Sequence, residues 1–302
     1  MKGYKAFEKG LICRGKQYAE NTVFEEKNAY ICRRGMHFCE NPFDVLDYYP
    51  LVNVNGEFSD FAEVEALADT NTDDKKKYCT TKLQIGAKLS FAGFVNACID
   101  FLHEKTILDM PDSKVDSGHC AKIGSSGDSA KIGSSGNYAQ IGSSGNYAKI
   151  GSSGHCAKIG SSGHSAQIGS SGDSAQIGSS GDSAQIGSSG DYAKIGSSGY
   201  YAQIGSSGDS AQIGSSGHSA QIGSSGYSAK ITSTGEDSVI CCSGNDSIVR
   251  AKVGSWITLS EWVYSKEKKR YVPKMVKTEF VDGERIKADT FYKLENGEFK
   301  EV

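Results

Sequence analysis

Gly172-Asp173-Ser174-Ala175-Gln176-Ile177-Gly178-Ser179-Ser180 is one copy of a nine-residue phrase, Gly-X-X-Ala-(Lys/Gln)-Ile-Gly-Ser-Ser. The phrase is written thirteen times between Gly118 and Ile231, with Ile at every ninth position from 123 to 231. Two looser copies follow, Gly235 to Ile240 and Gly244 to Val249. Such a period marks a solenoid, because one repeat cannot bury its own apolar face and must stack on its neighbours. In X-Ala-(Lys/Gln)-Ile, taken as the strand, side chains alternate between two faces. Ala and Ile are the inward pair, so Ile132, Ile141, Ile150, Ile159, Ile168, Ile177, Ile186, Ile195, Ile204 and Ile213 are the expected core. Gly-Ser-Ser-Gly is expected to bend the chain, with glycine entering φ > 0. The fold class is therefore mainly β, a parallel β-solenoid.

The number of phrases per coil follows from charge. Stacked residues in adjacent coils lie about 4.8 Å apart, so like charges avoid successive coils. With two phrases in an 18-residue coil, one face reads Lys122, Gln140, Lys158, Gln176, Lys194, Gln212, Lys230, an unbroken alternation. The other reads Lys131, Lys149, Gln167, Gln185, Gln203, Gln221. Three phrases per coil give no comparable pattern. A flat, two-sided roll of about seven coils is expected, roughly 34 Å long at the usual strand spacing.

The formal charge is −3, with about −4 on residues 1–117 and near balance elsewhere. Neither a basic nucleic-acid groove nor the acidic stripe of a DNA mimic is present. Nine cysteines without a CxxC motif, and no signal peptide or apolar run of membrane-spanning length, point to free thiols in a reducing cytosol. No nucleic-acid or membrane partner and no cofactor is expected. Cys32, His37 and Cys39 lack a fourth zinc ligand at sensible spacing. The repeat also lacks the regular Asp of a calcium roll and the Thr ladders of an ice-binding face, so no metal is expected.

The flanks read as two further domains: an α+β domain over 1–110, then the solenoid over 118–253, then an antiparallel β module over 254–302. Strands are expected at 3–7, 29–32, 36–39, 61–67 and 82–89. Asn41-Pro42 starts a short helix that stops at Pro50, and Ser90 caps a helix from Phe91 to about Glu104 that buries Phe94, Val95, Cys98, Phe101 and Leu102. Strands are expected at 256–263, 270–280 and 290–302, with Asp282-Gly283 and Asn296-Gly297 as hairpin signals. These flanks are read as caps for the solenoid's exposed strand edges.

Lys2-Gly3-Tyr4-Lys5-Ala6-Phe7, Cys13-Arg14-Gly15 and Gly35-Met36-His37-Phe38-Cys39-Glu40-Asn41-Pro42 resemble an uncharacterised family of phages, prophages and gut Firmicutes. Ile257 to Trp262 and Ile286 to Leu294 look like its closing module. Gly35 to Phe38, the helix ending at Tyr48-Tyr49 and the strand from Phe61 to Leu67 are also similar in layout to the centre of ADP-ribosyltransferases. That likeness implies a nicotinamide pocket. Glu63 and Glu65, however, lie on a strand that does not supply the catalytic glutamate there.

Two functions follow as expectations. The first is a non-enzymatic scaffold in the cytoplasm of a bacterial host, with the solenoid as a protein-binding surface that interferes with a host protein; a homo-oligomer is compatible with it. Its binding candidates are Tyr138, Tyr147, Tyr192, Tyr200 and Tyr201, in two bands of exposed aromatics. No catalytic residue is assigned. The alternative is an NAD-binding or ADP-ribosyltransferase-like N-terminal domain on a solenoid stalk.

Overall fold

The computed structural model describes residues 1–52, 58–105 and 114–302. The chain divides into two compact units, Met1–Phe101 and Leu102–Val302. The second is a parallel β-solenoid of about eight turns between residues 114 and 259. Two phrases make one turn: Lys122 stacks on Gln140, Gln140 on Lys158, and Gln176 on Lys194. The other sheet stacks Lys131 on Lys149 and then continues through the glutamines. The extra turn beyond the expected seven arises because Lys114–Asp116 and the degenerate copies at Val239–Cys242 and Ile248–Arg250 keep the register.

The division of each phrase into strand and turn differs from the expectation by two residues. Each strand is (Lys/Gln)-Ile-Gly-Ser, as in Gln176–Ser179, and the bend falls on Ser-Gly-X-X. The reason lies in the turn glycine, which is needed for close approach rather than for φ > 0. A Cβ on Gly172 would lie 2.0 Å from the carbonyl oxygen of Gly154, one turn below. The left-handed residue is instead the second X, such as Ser174 at φ 57° or Tyr201 at φ 56°. Ala and Ile both point inward, and all ten core isoleucines named above are 0–3 % exposed.

The antiparallel strands after the repeats extend the two solenoid sheets. Trp256–Ser265 stacks parallel on Val239–Cys242, and Arg270–Phe280 folds back antiparallel along it. The hairpin of Tyr292–Glu295 and Glu298–Glu301 joins the other sheet at Val249. Asn296 and Gly297 form its turn, both at positive φ. Asp282-Gly283 closes no hairpin: it turns within a loop where Asp282 Oδ1 accepts from the N–H groups of Glu284 and Ile286. The edge strand Arg270–Phe280 carries Pro273, Lys274 and Lys277, and its register shifts between Glu261 and Trp262. All of these discourage another strand from pairing there.

The first unit is built on β1 (Lys2–Phe7), β2 (Ile12–Cys13), β3 (Lys16–Gln17), β4 (Thr22–Glu25), β5 (Met36–Cys39), β6 (Asp60–Ala66), β7 (Thr70–Asn71), β8 (Lys77–Thr80) and β9 (Lys82–Leu89), followed by helix α1 (Phe91–Lys105). Seven of these strands form one sheet in the order β4-β9-β6-β1-β5-β8-β7, and β2 and β3 form a small separate hairpin. Every neighbouring pair in the large sheet is antiparallel. Its core gathers Phe7, Met36, Phe38, Val64, Leu83 and Ile85, all buried. Ser90 Oγ accepts from Gly93 N–H at the start of α1, and the ring of Phe94 stacks on Phe61 at 3.8 Å.

Two expectations are corrected in this unit. Residues 29–32 form no strand, since Tyr30 makes only an isolated bridge to Arg34 and Cys32 turns at φ 60°. The segment after Asn41 is a 3-10 helix of six residues, Pro42–Asp47, although Asn41 caps it as expected by accepting from Phe43 N–H. Part of the expected lead into the solenoid, residues 106–113, lies outside the described residues.

A cation-lined pocket in the N-terminal domain

Lys5 sits in the middle of β1, between Tyr4 and Ala6, and is only 5 % exposed. A buried ammonium must find partners. Lys5 Nζ donates to the carbonyl oxygen of His37 at 2.8 Å and lies 5.6 Å from the ring centre of Tyr18. Burial pulls its pKa below the usual 10.5, and Cys13 opposes that pull.

This amine borders a cavity of about 290 Å³. Arg14, Lys16, Arg33, Arg34 and Lys77 also line it, with Tyr18, Tyr48 and Tyr49. Among the described residues of 1–117, six Lys and Arg therefore line one cavity, against one carboxylate, Glu26. The acidic balance of this segment hides a positive site. Lys16 is paired with Glu26 at 2.7 Å, and Lys77 lies 4.2 Å over the ring of Tyr48. Among the described residues, no carboxylate lies within ion-pair distance of Arg14, Arg33 or Arg34. All three are exposed.

The turn that replaced the expected strand at 29–32 places Arg33 and Arg34 here. Gly35 makes that turn possible: it sits at φ +93°, and a Cβ would meet Ala29 Cα at 2.8 Å. His37 Nε2 accepts from the Cys32 N–H at 3.0 Å, which puts the ring proton on Nδ1. Burial, then Lys5, Lys77 and Arg14, hold the pKa of His37 below its usual 6.5. Tyr49 Oη donates to Cys13 Sγ at 3.1 Å, and burial pushes its phenol pKa up, so the phenol keeps its proton.

The tyrosines proposed from sequence are all exposed, yet they do not form two patches. Alternate phrases turn at opposite edges of the roll. Tyr138 and Tyr192 therefore share one edge, while Tyr147, Tyr200 and Tyr201 share the other. Tyr200 stacks on His218 with ring centres 5.4 Å apart, and Tyr138 lies 5.4 Å from His119. The variable first X has a structural explanation. Asp182 Oδ1 accepts the N–H of Tyr200 one turn on, and Asp128, Asn137, Asn146, Asp173, Asp191 and Asp209 make the same bond. Among the described residues, no cluster of three His, Cys, Asp or Glu could hold a metal ion. No helix is long and apolar enough to cross a membrane.

Fold and pocket together define a β-solenoid protein whose N-terminal antiparallel domain carries a cavity lined by cations and tyrosines. Residues 1–97, which contain that cavity, match a family described as a domain of unknown function, DUF7666. No curated protein and no solved structure matches the chain.

Proposed function

We propose that the N-terminal domain binds a small phosphorylated molecule with an aromatic part, of mononucleotide size. The observation that carries this reading is the convergence of Lys5, Arg14, Lys16, Arg33, Arg34 and Lys77 on one tyrosine-lined cavity. Guanidinium groups bind phosphate through paired N–H donors, and tyrosine rings offer a face to a base. At about 290 Å³ the cavity is at the lower end of the ~300–1,000 Å³ usual for small-molecule sites, which favours a mononucleotide over NAD. An ADP-ribosyltransferase step needs a carboxylate at the ligand. Glu26, the one acid that lines the cavity among the described residues, is engaged by Lys16, so the proposal is binding without transfer.

The solenoid acts in this reading as scaffold and protein-binding surface. What favours that role is an open outer face, where nothing lies within 4 Å above Gly151, Gly169, Gly187 and Gly205. A host protein as its partner, a phage or prophage source and a bacterial cytoplasm belong to the same proposal, and rest on the family resemblance of the flanks.

The test is thermal melting and calorimetric titration of the full chain with AMP, pyrophosphate, adenosine and NAD. AMP and pyrophosphate should bind and raise the melting temperature, and adenosine should not. Arg34→Ala should weaken AMP by about tenfold or more, the worth of one charge-assisted contact. Failure of AMP and pyrophosphate to bind at millimolar concentration would overturn the reading.

A further inference from the structure

Binding an anion needs the cations of this cavity but has no need of sulfur, and yet three cysteines line it. Cys39 is buried and Cys32 exposed, and Cys13 differs from both in the donor it receives from Tyr49. The thiol sits on β2, half-buried, so a ligand in the cavity reaches it. Its Sγ accepts from Tyr49 Oη at 3.1 Å and shares the cavity with the amine of Lys5, while Arg14 follows it in the chain and lines the same space. Donors and positive charges around a partly exposed sulfur are the surroundings that support an attacking cysteine. Elsewhere Cys79, Cys98 and Cys242 are buried in cores, and Cys241 is exposed on the outer face of the solenoid.

We propose that Cys13 is a nucleophile that captures electrophiles bearing a phosphate or carboxylate group, drawn in by the cations of the cavity. This rests on the anion-binding reading of the same site. Sγ forms a bond to the electrophilic carbon, the bond from that carbon to its leaving group breaks with the electron pair going to the leaving group, and the thiol proton passes to solvent. Lys5 and Tyr49 are positioning residues that act through the sulfur.

The probes are iodoacetate and iodoacetamide, which differ in charge and both release iodide. Rates are read site by site by mass spectrometry on the intact protein, with Cys241 as the reference in the same molecule. Cys13 should react with iodoacetate about tenfold or more faster than Cys241, since thiol rates follow the groups around the sulfur. The iodoacetate-to-iodoacetamide ratio should also be higher at Cys13. Tyr49→Phe should slow both reagents at Cys13 and leave that ratio unchanged, a split that mere loosening of the fold would not give. Lys5→Met should lower rate and ratio together.

Because the wild-type rates decide the matter, a variant that fails to fold leaves the test intact. If Cys13 is no faster than Cys241 with either reagent, the nucleophile is overturned, and a raised ratio would still support anion binding. If Cys13 is fast but its ratio equals that of Cys241, the nucleophile stands and the anion-binding reading falls.

Discussion

Gly172 and Ser174 lie two residues apart in one turn and carry opposite constraints. Gly172 needs its missing Cβ, because that atom would lie 2.0 Å from Gly154 O. Ser174 stands at φ 57°, a conformation that costs an L-residue about 1–2 kcal/mol and glycine almost nothing. Gly172→Ala should therefore destabilise by about 1–3 kcal/mol, as overpacking does. Ser174→Gly should leave the melting temperature unchanged or raise it. Equal damage from both would mean that the turn is built some other way. The inward column separates in the same manner. Ile177 is 2 % exposed, and Ile177→Ala should cost about 2–5 kcal/mol. Ser179 is fully buried, and its Oγ finds no hydrogen-bond partner among the described residues. Removing a hydroxyl that only carries a desolvation penalty is close to neutral, so Ser179→Ala should shift the melting temperature far less.

At the scale of the element, β1 decides the pocket by burying one amine. An anion gains from Lys5 only while it is an ammonium, and burial places its pKa below 10.5. Affinity for AMP should fall as pH rises through that lowered pKa, before 10.5 is reached. In Lys5→Met the affinity should be weaker and flat over the same range. A wild-type profile as flat as the variant's would remove Lys5 from the ligand's surroundings. The strands themselves were easy to read. Lys82–Leu89 and Arg270–Phe280 occupy the residues that their apolar patterns mark, and Asn41 and Ser90 cap as their side chains require. The pocket was not legible. Its residues come from separate stretches around positions 5, 13–18, 26, 32–39, 48–49 and 77, brought together by antiparallel pairings between distant strands. A lysine inside an apolar strand was the available sign, and net charge concealed it, because surplus acids lie elsewhere in the same segment. The tyrosines stood out in sequence for the opposite reason, since a repeat makes any departure conspicuous wherever it points.

At the scale of the molecule, the solenoid is a device for translating sequence distance into position: nine residues change the sheet and eighteen advance one turn. The phrase at Gly172–Ser180 is repeated without change at Gly181–Ser189, so further copies can be inserted after Ser189 with identical local chemistry. One inserted copy stacks on Gln176 and sends every later strand to the other sheet. Lys194, which stacks on Gln176 in the native chain, then stacks on Gln185. Two inserted copies restore it to its own sheet, one turn further along. Cysteines placed at Gln185→Cys and Lys194→Cys report the difference. Parallel neighbours about 4.8 Å apart fall within the Cα range of about 4.4–6.8 Å that a disulfide spans, whereas positions on opposite outer faces do not. The pair should therefore oxidise within one chain only in the nine-residue insertion, and remain reduced in the native-length and eighteen-residue chains, as read by peptide mass spectrometry. All three chains should fold, because each added strand presents the same Ala and Ile to the core. A cross-link in the native-length chain, or none in the nine-residue insertion, would break the link between phrase number and face, and with it the two-sheet roll.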